Sequence, residues 1–187
     1  MSADDPSRDH LRRAVDLLHG GGVVAHATEG VWGLACDPFD ADAVGRVLQI
    51  KGRDADKGLI VAAGQAEAFA TELESLDNDV ASRIRESWPG AVTWVVPNVR
   101  FPQWITGGGD TVAIRVPGHA QARALADAFG GAIVSTSANR SGNEPAATPQ
   151  AVADALGEAV DFILPGKIGS SAGPSRIIDA LNGRTLR

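Results

Sequence analysis

Apolar residues follow two periods, which alternate along the whole length of this chain. Apolar positions every three or four residues predict helices, which we place at Arg8–His19, Ala41–Ile50, Asp79–Trp88, His119–Phe129 and Pro149–Leu156. Continuous apolar runs predict strands, which we place at Val23–Ala27, Leu59–Ala62, Val92–Val96, Val112–Val116, Ala132–Ser135, Asp161–Leu164 and Arg176–Asp179. Strands interleaved with helices in this way are typical of an α/β domain, in which helices pack on a sheet.

The order of these elements favours a mixed sheet over a purely parallel one. Some strands follow one another without a helix between them, as around Thr93 and Val112, and such pairs need not run parallel. No linker divides the chain, so we expect one domain over residues 1–187, with residues 1–7 as a loose N-terminal tail. Ligands of such folds bind on the loops at strand ends.

Length and composition narrow the class of protein. A chain of 187 residues with 44% hydrophobic positions is long enough to bury a real core. Its longest apolar runs, around Val92–Val96 and Ala132–Val134, are far shorter than a membrane span. The polar segment Met1–Asp9 lacks the features of a signal peptide, and the single Cys36 suits a reducing compartment. We therefore expect a cytoplasmic protein with no membrane partner.

The charged residues carry a more specific signal. The net charge of −6 argues against a broad basic surface for nucleic acid. Only three of the 17 basic residues are lysines, and two of these, Lys51 and Lys57, flank Arg53 in the segment KGRDADKG. Lysine offers phosphate a point charge, and arginine can bridge two phosphate oxygens. The segment either binds phosphate or forms a solvated charged face, and the charges alone do not decide between the two.

Three further polar segments adjoin predicted strands. The run STSANRSG, residues 135–142, offers hydroxyls and backbone N–H groups that either surround an anion or form a hydroxyl-rich turn. Thr28 and Glu29 follow the strand that ends at Ala27, where they face a cleft or cap a turn. Arg115 lies inside an apolar strand, so it must pair with a carboxylate, either from Glu29 or from a ligand.

Five segments occur in the order found in one known family. They are ATEGVWGLAC at 27–36, KGRDADKG at 51–58, WPGAVT at 88–93, AIRVPGH at 113–119 and SANRSG at 137–142. Through them the chain resembles the threonylcarbamoyl-AMP synthases of the YrdC/TsaC type, from about Leu11 to Arg187. One motif alone would be a weak signal, whereas five in order are specific. The ending GPSRIIDALNGRTLR resembles the short bacterial form of the family.

The resemblance implies a fold and a reaction. The fold would be a twisted, open, mixed α/β sheet with flanking helices and a concave cleft. The activity would be that of a nucleotidyltransferase with ATP, L-threonine and bicarbonate as substrates, in which a threonine carbamate attacks the α-phosphate and pyrophosphate leaves. In the family the product serves threonylcarbamoylation of an adenosine in certain transfer RNAs. The resemblance therefore implies transient contact with the downstream transferase machinery, and it leaves direct binding of tRNA open.

The same resemblance implies roles for the cationic motif and the hydroxyl-rich loop. Lys51 and Arg53 are expected to neutralise charge on the leaving pyrophosphate, with Lys51 in direct contact with phosphate, and Lys57 is expected to support the shape and field of the site. Mg²⁺ is expected as cofactor, held mainly by the phosphates of ATP rather than by the protein. Ser137 and Asn139 are expected to hold phosphate or ribose.

The amino-acid substrate has its own set of expected contacts. Arg115 is expected to bind the carboxylate of threonine through two parallel hydrogen bonds, and Thr28 and Ser175 to contact the rest of the amino acid. The remaining positions expected to bind substrate or nucleotide are Thr136, Ser141 and Arg187. The reaction needs no nucleophile from the protein, so catalysis would rest on positioning and electrostatics.

Of the departures from the family pattern, one bears most on this interpretation, and two alternatives accompany it. Ala27 stands where the family usually has proline, which loosens the turn that presents Thr28. The first alternative is a non-catalytic RNA- or ribosome-associated protein that uses the same cleft, although the net negative charge disfavours it. The second is a different transferase on the same fold, for example one that uses carbamoyl phosphate.

Overall fold

Helices and strands alternate along residues 6–170 and 173–186, the part of the chain that a computed structural model describes. The α-helices are α1 Pro6–His19, α2 Ala41–Lys51, α3 Ala70–Glu74, α4 Asn78–Glu86, α5 Gln103–Thr106, α6 Ala120–Phe129 and α7 Pro149–Leu156. The strands are β1 Val24–Ala27, β2 Trp32–Ala35, β3 Ile60–Ala62, β4 Val92–Pro97, β5 Thr111–Arg115, β6 Ile133–Val134, β7 Thr136–Ser137, β8 Phe162–Ile163 and β9 Arg176–Asp179.

Most of the predicted helices form within two residues of their expected ends. Asp40 caps α2, because its carboxylate accepts hydrogen bonds from the backbone N–H groups of Asp42 and Ala43, each at 3.0 Å. Gly52 ends the same helix in the left-handed conformation, with φ of 55°. Helix α1 begins at Pro6, two residues before the start that the sequence predicted.

The strands form two sheets rather than the one that the sequence suggested. The first has the order β7-β2-β1-β8 and the second the order β6-β3-β5-β4-β9, and both mix parallel with antiparallel pairs. Strand β2 was missed because its two glycines, Gly30 before it and Gly33 inside it, resemble a loop. It forms because Trp32 pairs with Ala27 in an antiparallel hairpin with β1.

The predicted strand Ala132–Ser135 is in fact divided between the two sheets. Strand β6 belongs to the second sheet and β7 to the first, and Ser135 alone separates them. The backbone N–H of Ser135 donates to Ile60 O at 2.8 Å, and that of Ala138 donates to Trp32 O at 2.7 Å. The chain therefore crosses from one sheet to the other at its serine- and threonine-rich segment.

Two apolar clusters hold these layers together. The larger one joins both sheets, with Trp32, Ile84 and Ile114 fully buried in it. The smaller one packs α1 and α6 against the outer side of the first sheet, around Leu18 and Leu125. Within the described residues we find no helix with the length and apolar character that crossing a membrane requires.

Candidate functional site

A cleft of about 560 Å³ opens between the two sheets. A volume of this size is typical of sites for small molecules and cofactors. The cleft brings together ten of the eleven residues predicted from the sequence, namely Thr28, Lys51, Arg53, Lys57, Arg115, Thr136, Ser137, Asn139, Ser141 and Ser175. The eleventh, Arg187, lies outside the described residues.

The cleft has two chemically different ends. The loop end consists of residues 51–58 and 135–142, which carry the cationic motif and the hydroxyl-rich segment. The ion-pair end consists of Thr28, Glu29, Arg115 and Ser175. The loop end owes its position to the crossing from β6 to β7, since that crossing places the hydroxyls of residues 135–137 where the two sheets meet.

Lys51 lies buried at the loop end, with only 3% of its surface exposed. Its ammonium group donates to Ser137 O at 2.5 Å, to Asn139 O at 3.0 Å and to Asn139 Oδ1 at 3.3 Å. Burial, together with the neighbouring positive charge of Arg53, lowers the pKa of Lys51 to about 8. The lysine thus remains mostly charged near neutral pH, although the surrounding protein disfavours the charge.

Arg53 also binds backbone carbonyl groups rather than carboxylates. Its Nε and Nη2 donate to Gly58 O at 3.2 and 3.0 Å, and Nη2 donates to Lys57 O at 3.1 Å. The guanidinium therefore closes the loop that follows α2. Lys57 itself is exposed and forms an ion pair with Asp54 at 2.9 Å, which helps to lower the pKa of that carboxyl.

Thr28 fixes the turn between β1 and β2. Its hydroxyl donates to Val31 O at 2.7 Å, and its backbone N–H donates to the same oxygen at 3.1 Å. The N–H of Gly169 donates to Thr28 O at 2.9 Å, which ties a third segment to the turn. The turn is therefore held by hydrogen bonds although Ala27 stands in place of the proline.

Arg115 pairs with Glu29, one of the two partners that the sequence left open. Oε1 of Glu29 accepts from Nη2 of Arg115 and from the backbone N–H of Gly118, the latter at 2.7 Å. Both side chains are largely buried, with 9% and 12% of their surface exposed. Among the described residues, Nε of Arg115 and Oε2 of Glu29 are buried without a hydrogen-bond partner. The pair thus keeps one donor and one acceptor unsatisfied.

His26 was not predicted, yet it lies behind the ion-pair end. Its Nδ1 lies 3.1 Å from Ala27 O, so Nδ1 carries the proton and Nε2 is left as an acceptor. Burial lowers the pKa of His26 to about 4, and the nearby His119 and Arg115 act in the same direction. The imidazole is consequently neutral at physiological pH, and a lone histidine in an apolar strand gave no signal of this location.

Gly33 allows β2 to pass close to these groups. A side chain at this position would meet the Thr28 methyl group and Thr136 O at 3.3 Å and His26 Nε2 at 3.4 Å. Since Gly33 itself lines the cleft, its missing side chain leaves the wall open between the two ends.

A protein-family model decides where this chain belongs. The model Sua5/YciO/YrdC, described as "Telomere recombination", matches residues 16–187. The chain belongs to the Sua5/YciO/YrdC family. The resemblance predicted from the five sequence motifs is thereby confirmed.

Relatives within the Sua5/YciO/YrdC family are similar over nearly the full chain. A protein of Halorhodospira halophila named threonylcarbamoyl-AMP synthase is 47% identical over 178 residues, which cover 95% of this chain and 93% of that protein. A protein of Alkalilimnicola ehrlichii with the same name is 44% identical and is aligned over 100% of both chains.

A solved structure supports the same assignment and the α/β fold class. The structure of P. abyssi Sua5 complexed with L-threonine superposes with a TM-score of 0.85 at 32% identity, covering 90% of this chain and 50% of that one. This chain thus spans about half the length of the P. abyssi protein. The fold class predicted from the sequence is confirmed, with the difference that two sheets replace one.

Apolar side chains complete the wall of this family member's cleft. The sequence did not predict them, because an apolar strand residue that lines a cleft has the same sequence pattern as one that packs in the core. They are Leu59, Ile60, Val95, Ile105, Ala113 and Ile177. Such an apolar surface suits the flat face of a nucleotide base, because contact between the two buries few polar groups without a hydrogen-bond partner.

The described residues form no cluster of three or more histidine, cysteine, aspartate or glutamate side chains suited to a metal ion. Among the residues that the structure describes, Glu29 is the one carboxylate that lines the cleft, and it is bound to Arg115. Magnesium prefers carboxylate, water and phosphate oxygens. The donor set therefore suits a magnesium ion that arrives with phosphate oxygens, not one bound by the protein alone.

Proposed function

We propose that this chain is an L-threonylcarbamoyl-AMP synthase, a nucleotidyltransferase that uses ATP, L-threonine and bicarbonate. The observation that carries the proposal is the cleft itself, in which a cationic, hydroxyl-rich end and a buried arginine–glutamate end lie between the same two sheets. The names of the relatives support the same activity.

The proposed reaction has two steps. The amine of threonine takes up carbon dioxide derived from bicarbonate, which releases water, and forms a carbamate. A carbamate oxygen then attacks the α-phosphorus of ATP, the bond to the β-phosphate oxygen breaks, and pyrophosphate leaves with the electron pair. The products are threonylcarbamoyl-AMP and pyrophosphate. Because negative charge accumulates on the leaving group, positive charge fixed nearby lowers the barrier.

The loop end supplies that charge in our proposal. Lys51 and Arg53 bind neutral carbonyl oxygens, so their positive charges are not cancelled by a carboxylate partner among the described residues. The hydroxyls of Thr136, Ser137 and Ser141 make no side-chain hydrogen bond within that same part of the protein. They are available to phosphate or ribose oxygens.

The ion-pair end takes the amino acid. Arg115 offers its remaining N–H groups to the carboxylate of threonine, while Glu29 holds the guanidinium in place. The Thr28 hydroxyl donates to Val31 O and keeps lone pairs that can accept from an amine. Ser175, whose hydroxyl lies 2.8 Å from that of Thr93, borders the same space.

ATP enters as its magnesium complex in this proposal. The ion, bound to phosphate oxygens, would add to the neutralisation of charge on pyrophosphate. The product would pass to the machinery that threonylcarbamoylates an adenosine in transfer RNA, in the cytoplasm. Arg187, at the end of the sequence, is proposed as a further nucleotide contact.

Release of pyrophosphate tests this function directly. Purified protein with ATP, L-threonine, bicarbonate and Mg²⁺ should release pyrophosphate, and omission of threonine should abolish the release. Arg83→Ala is a matched control, since it removes an exposed cation on α4, away from the cleft. Release without threonine, or no release at all, would contradict the proposal.

A further inference from the structure

The ammonium group of Lys51 has no donor left for a ligand. An ammonium group carries three N–H donors and no acceptor. In this structure the three nearest acceptors are Ser137 O, Asn139 O and Asn139 Oδ1, at 2.5, 3.0 and 3.3 Å. A hydrogen bond from Lys51 to phosphate would require one of these contacts to break.

The main chain of Lys51 holds the same loop from a second side. The N–H of Ser141 donates to Lys51 O at 2.6 Å. Residues 137–141 are therefore fastened by both the side chain and the backbone of one residue. The last residue of α2, a helix capped at both ends, thus serves as a rigid anchor for this loop.

Lys51 also sets the orientation of the Asn139 amide. The Oδ1 atom of Asn139 faces the ammonium, and its Nδ2 donates to Asn143 O at 2.6 Å and to Arg140 O at 3.1 Å. Because an ammonium group can only donate, it favours this orientation of the amide over the flipped one. The hydroxyls of Ser137 and Ser141 are carried on the loop so fixed.

We infer that Lys51 is a positioning residue: it holds the loop of residues 137–141 in the conformation that binds the polyphosphate, and it does not itself donate a hydrogen bond to phosphate. The positive charge of Lys51 still acts through space, but the direct contacts come from the loop. This inference rests on the proposed function of the cleft, which it refines by separating the groups that touch the nucleotide from the group that arranges them.

The test compares loop mobility with nucleotide affinity in the variant Lys51→Met. Hydrogen exchange is followed in the ligand-free protein for the peptide that covers residues 136–143, and the affinity for Mg·ATP is measured by calorimetry. We expect exchange in this peptide to accelerate about tenfold or more, and the affinity to fall by a similar factor. Lys51→Arg should rescue neither quantity, because a planar guanidinium cannot replace an ammonium among three fixed oxygens.

Lys57→Met is the matched control. It removes the same charge from the same motif, but Lys57 is exposed and paired with Asp54. Exchange in the 136–143 peptide should remain as in the unmodified protein. The inference is wrong if Lys51→Met loses affinity while loop exchange is unchanged, or if it keeps full affinity.

A crystal structure of the unmodified protein with a non-hydrolysable ATP analogue gives a second test, which stands even if Lys51→Met does not fold. The Lys51 ammonium should remain bound to Ser137 and Asn139, and a hydrogen bond from it to a phosphate oxygen would overturn the inference. These readouts need binding of ATP but no turnover. A failure of threonine-dependent pyrophosphate release would therefore contradict the proposed function without deciding the role of Lys51.

Discussion

The two ends of the cleft hold positive charge in opposite ways. At the loop end, Lys51 and Arg53 bind neutral carbonyl and amide oxygens, so their charges stay available to a ligand. At the ion-pair end, Arg115 binds the carboxylate of Glu29, so the two charges cancel. A polyanion is attracted by the first arrangement, whereas the second suits a zwitterion such as an amino acid. The difference therefore matches two of the three substrates of the proposed reaction, ATP and L-threonine.

Removing Glu29 should have the largest effect, because it leaves a buried cation without its partner. We expect Glu29→Ala to lower the free energy of unfolding by about 3–5 kcal/mol. It should also abolish measurable binding of threonine, since nothing then orients Arg115. Urea unfolding and calorimetry measure the two effects. Asp54→Ala, which removes an exposed carboxylate from the loop end, is the control and should leave the unfolding midpoint unchanged. If Glu29→Ala and Asp54→Ala changed the unfolding midpoint equally, the difference drawn between the two ends of the cleft would be wrong.

Acid should weaken the ion-pair end through His26. The folded protein holds the pKa of His26 at about 4, below its ordinary value of 6.5, so the unfolded chain binds this proton more readily. Stability is therefore present in full above about pH 6.5 and is lost as the pH falls towards 4, by about 3 kcal/mol for this group.

The variant His26→Phe isolates that contribution. It keeps an aromatic ring in β1 but removes the titrating group, so its stability should fall less steeply between pH 6.5 and pH 4. Urea unfolding over this pH range measures the two slopes. Parallel slopes would show that the acid sensitivity lies elsewhere in the protein.

Alkali should weaken the loop end, by a smaller amount. The pKa of Lys51 is lowered to about 8, so its charge is lost as the pH rises through that value. We expect the affinity for Mg·ATP to fall about tenfold between pH 7.5 and pH 9.5, which corresponds to about 1.4 kcal/mol. Calorimetry over this range measures the fall, and Lys51→Met should show a flatter profile. If the affinity of Lys51→Met for Mg·ATP fell equally steeply, the titration of Lys51 would not be the cause of the pH dependence.

The chemistry of the side chains predicted which residues line the cleft, but it did not predict which hydrogen bonds they make. Lys51, Arg53 and Asn139 were chosen because their side chains suit phosphate, and all three line the cleft. The sequence could not show that the donors of Lys51 are used by a loop far along the chain, since those contacts join residues 86 and 88 positions apart. The roles of these residues towards the nucleotide stay predictions.

His26 shows the opposite case. Its side chain lies in a strand that was predicted within one residue at its start, yet the site around it was not foreseen. The groups that lower its pKa include His119 and Arg115, which follow it by about ninety residues. Neither hydrophobic periodicity nor a sequence motif indicates that these side chains lie close together, because their proximity depends on how the two sheets are placed.

By itself, the sequence determined the five longest helices, most of the strands, the α/β class and the family, because periodicity and short motifs are local properties that need no partner. The short helices α3 and α5 were not predicted. The tertiary structure alone decided three things: the division into two sheets, the crossing at Ser135, and the choice of partner for each buried cation. These depend on strand pairing and on desolvated charges finding oxygens that are distant in the chain. The negative net charge and the cationic cleft coexist for the same reason, since folding gathers a few cations into one cavity.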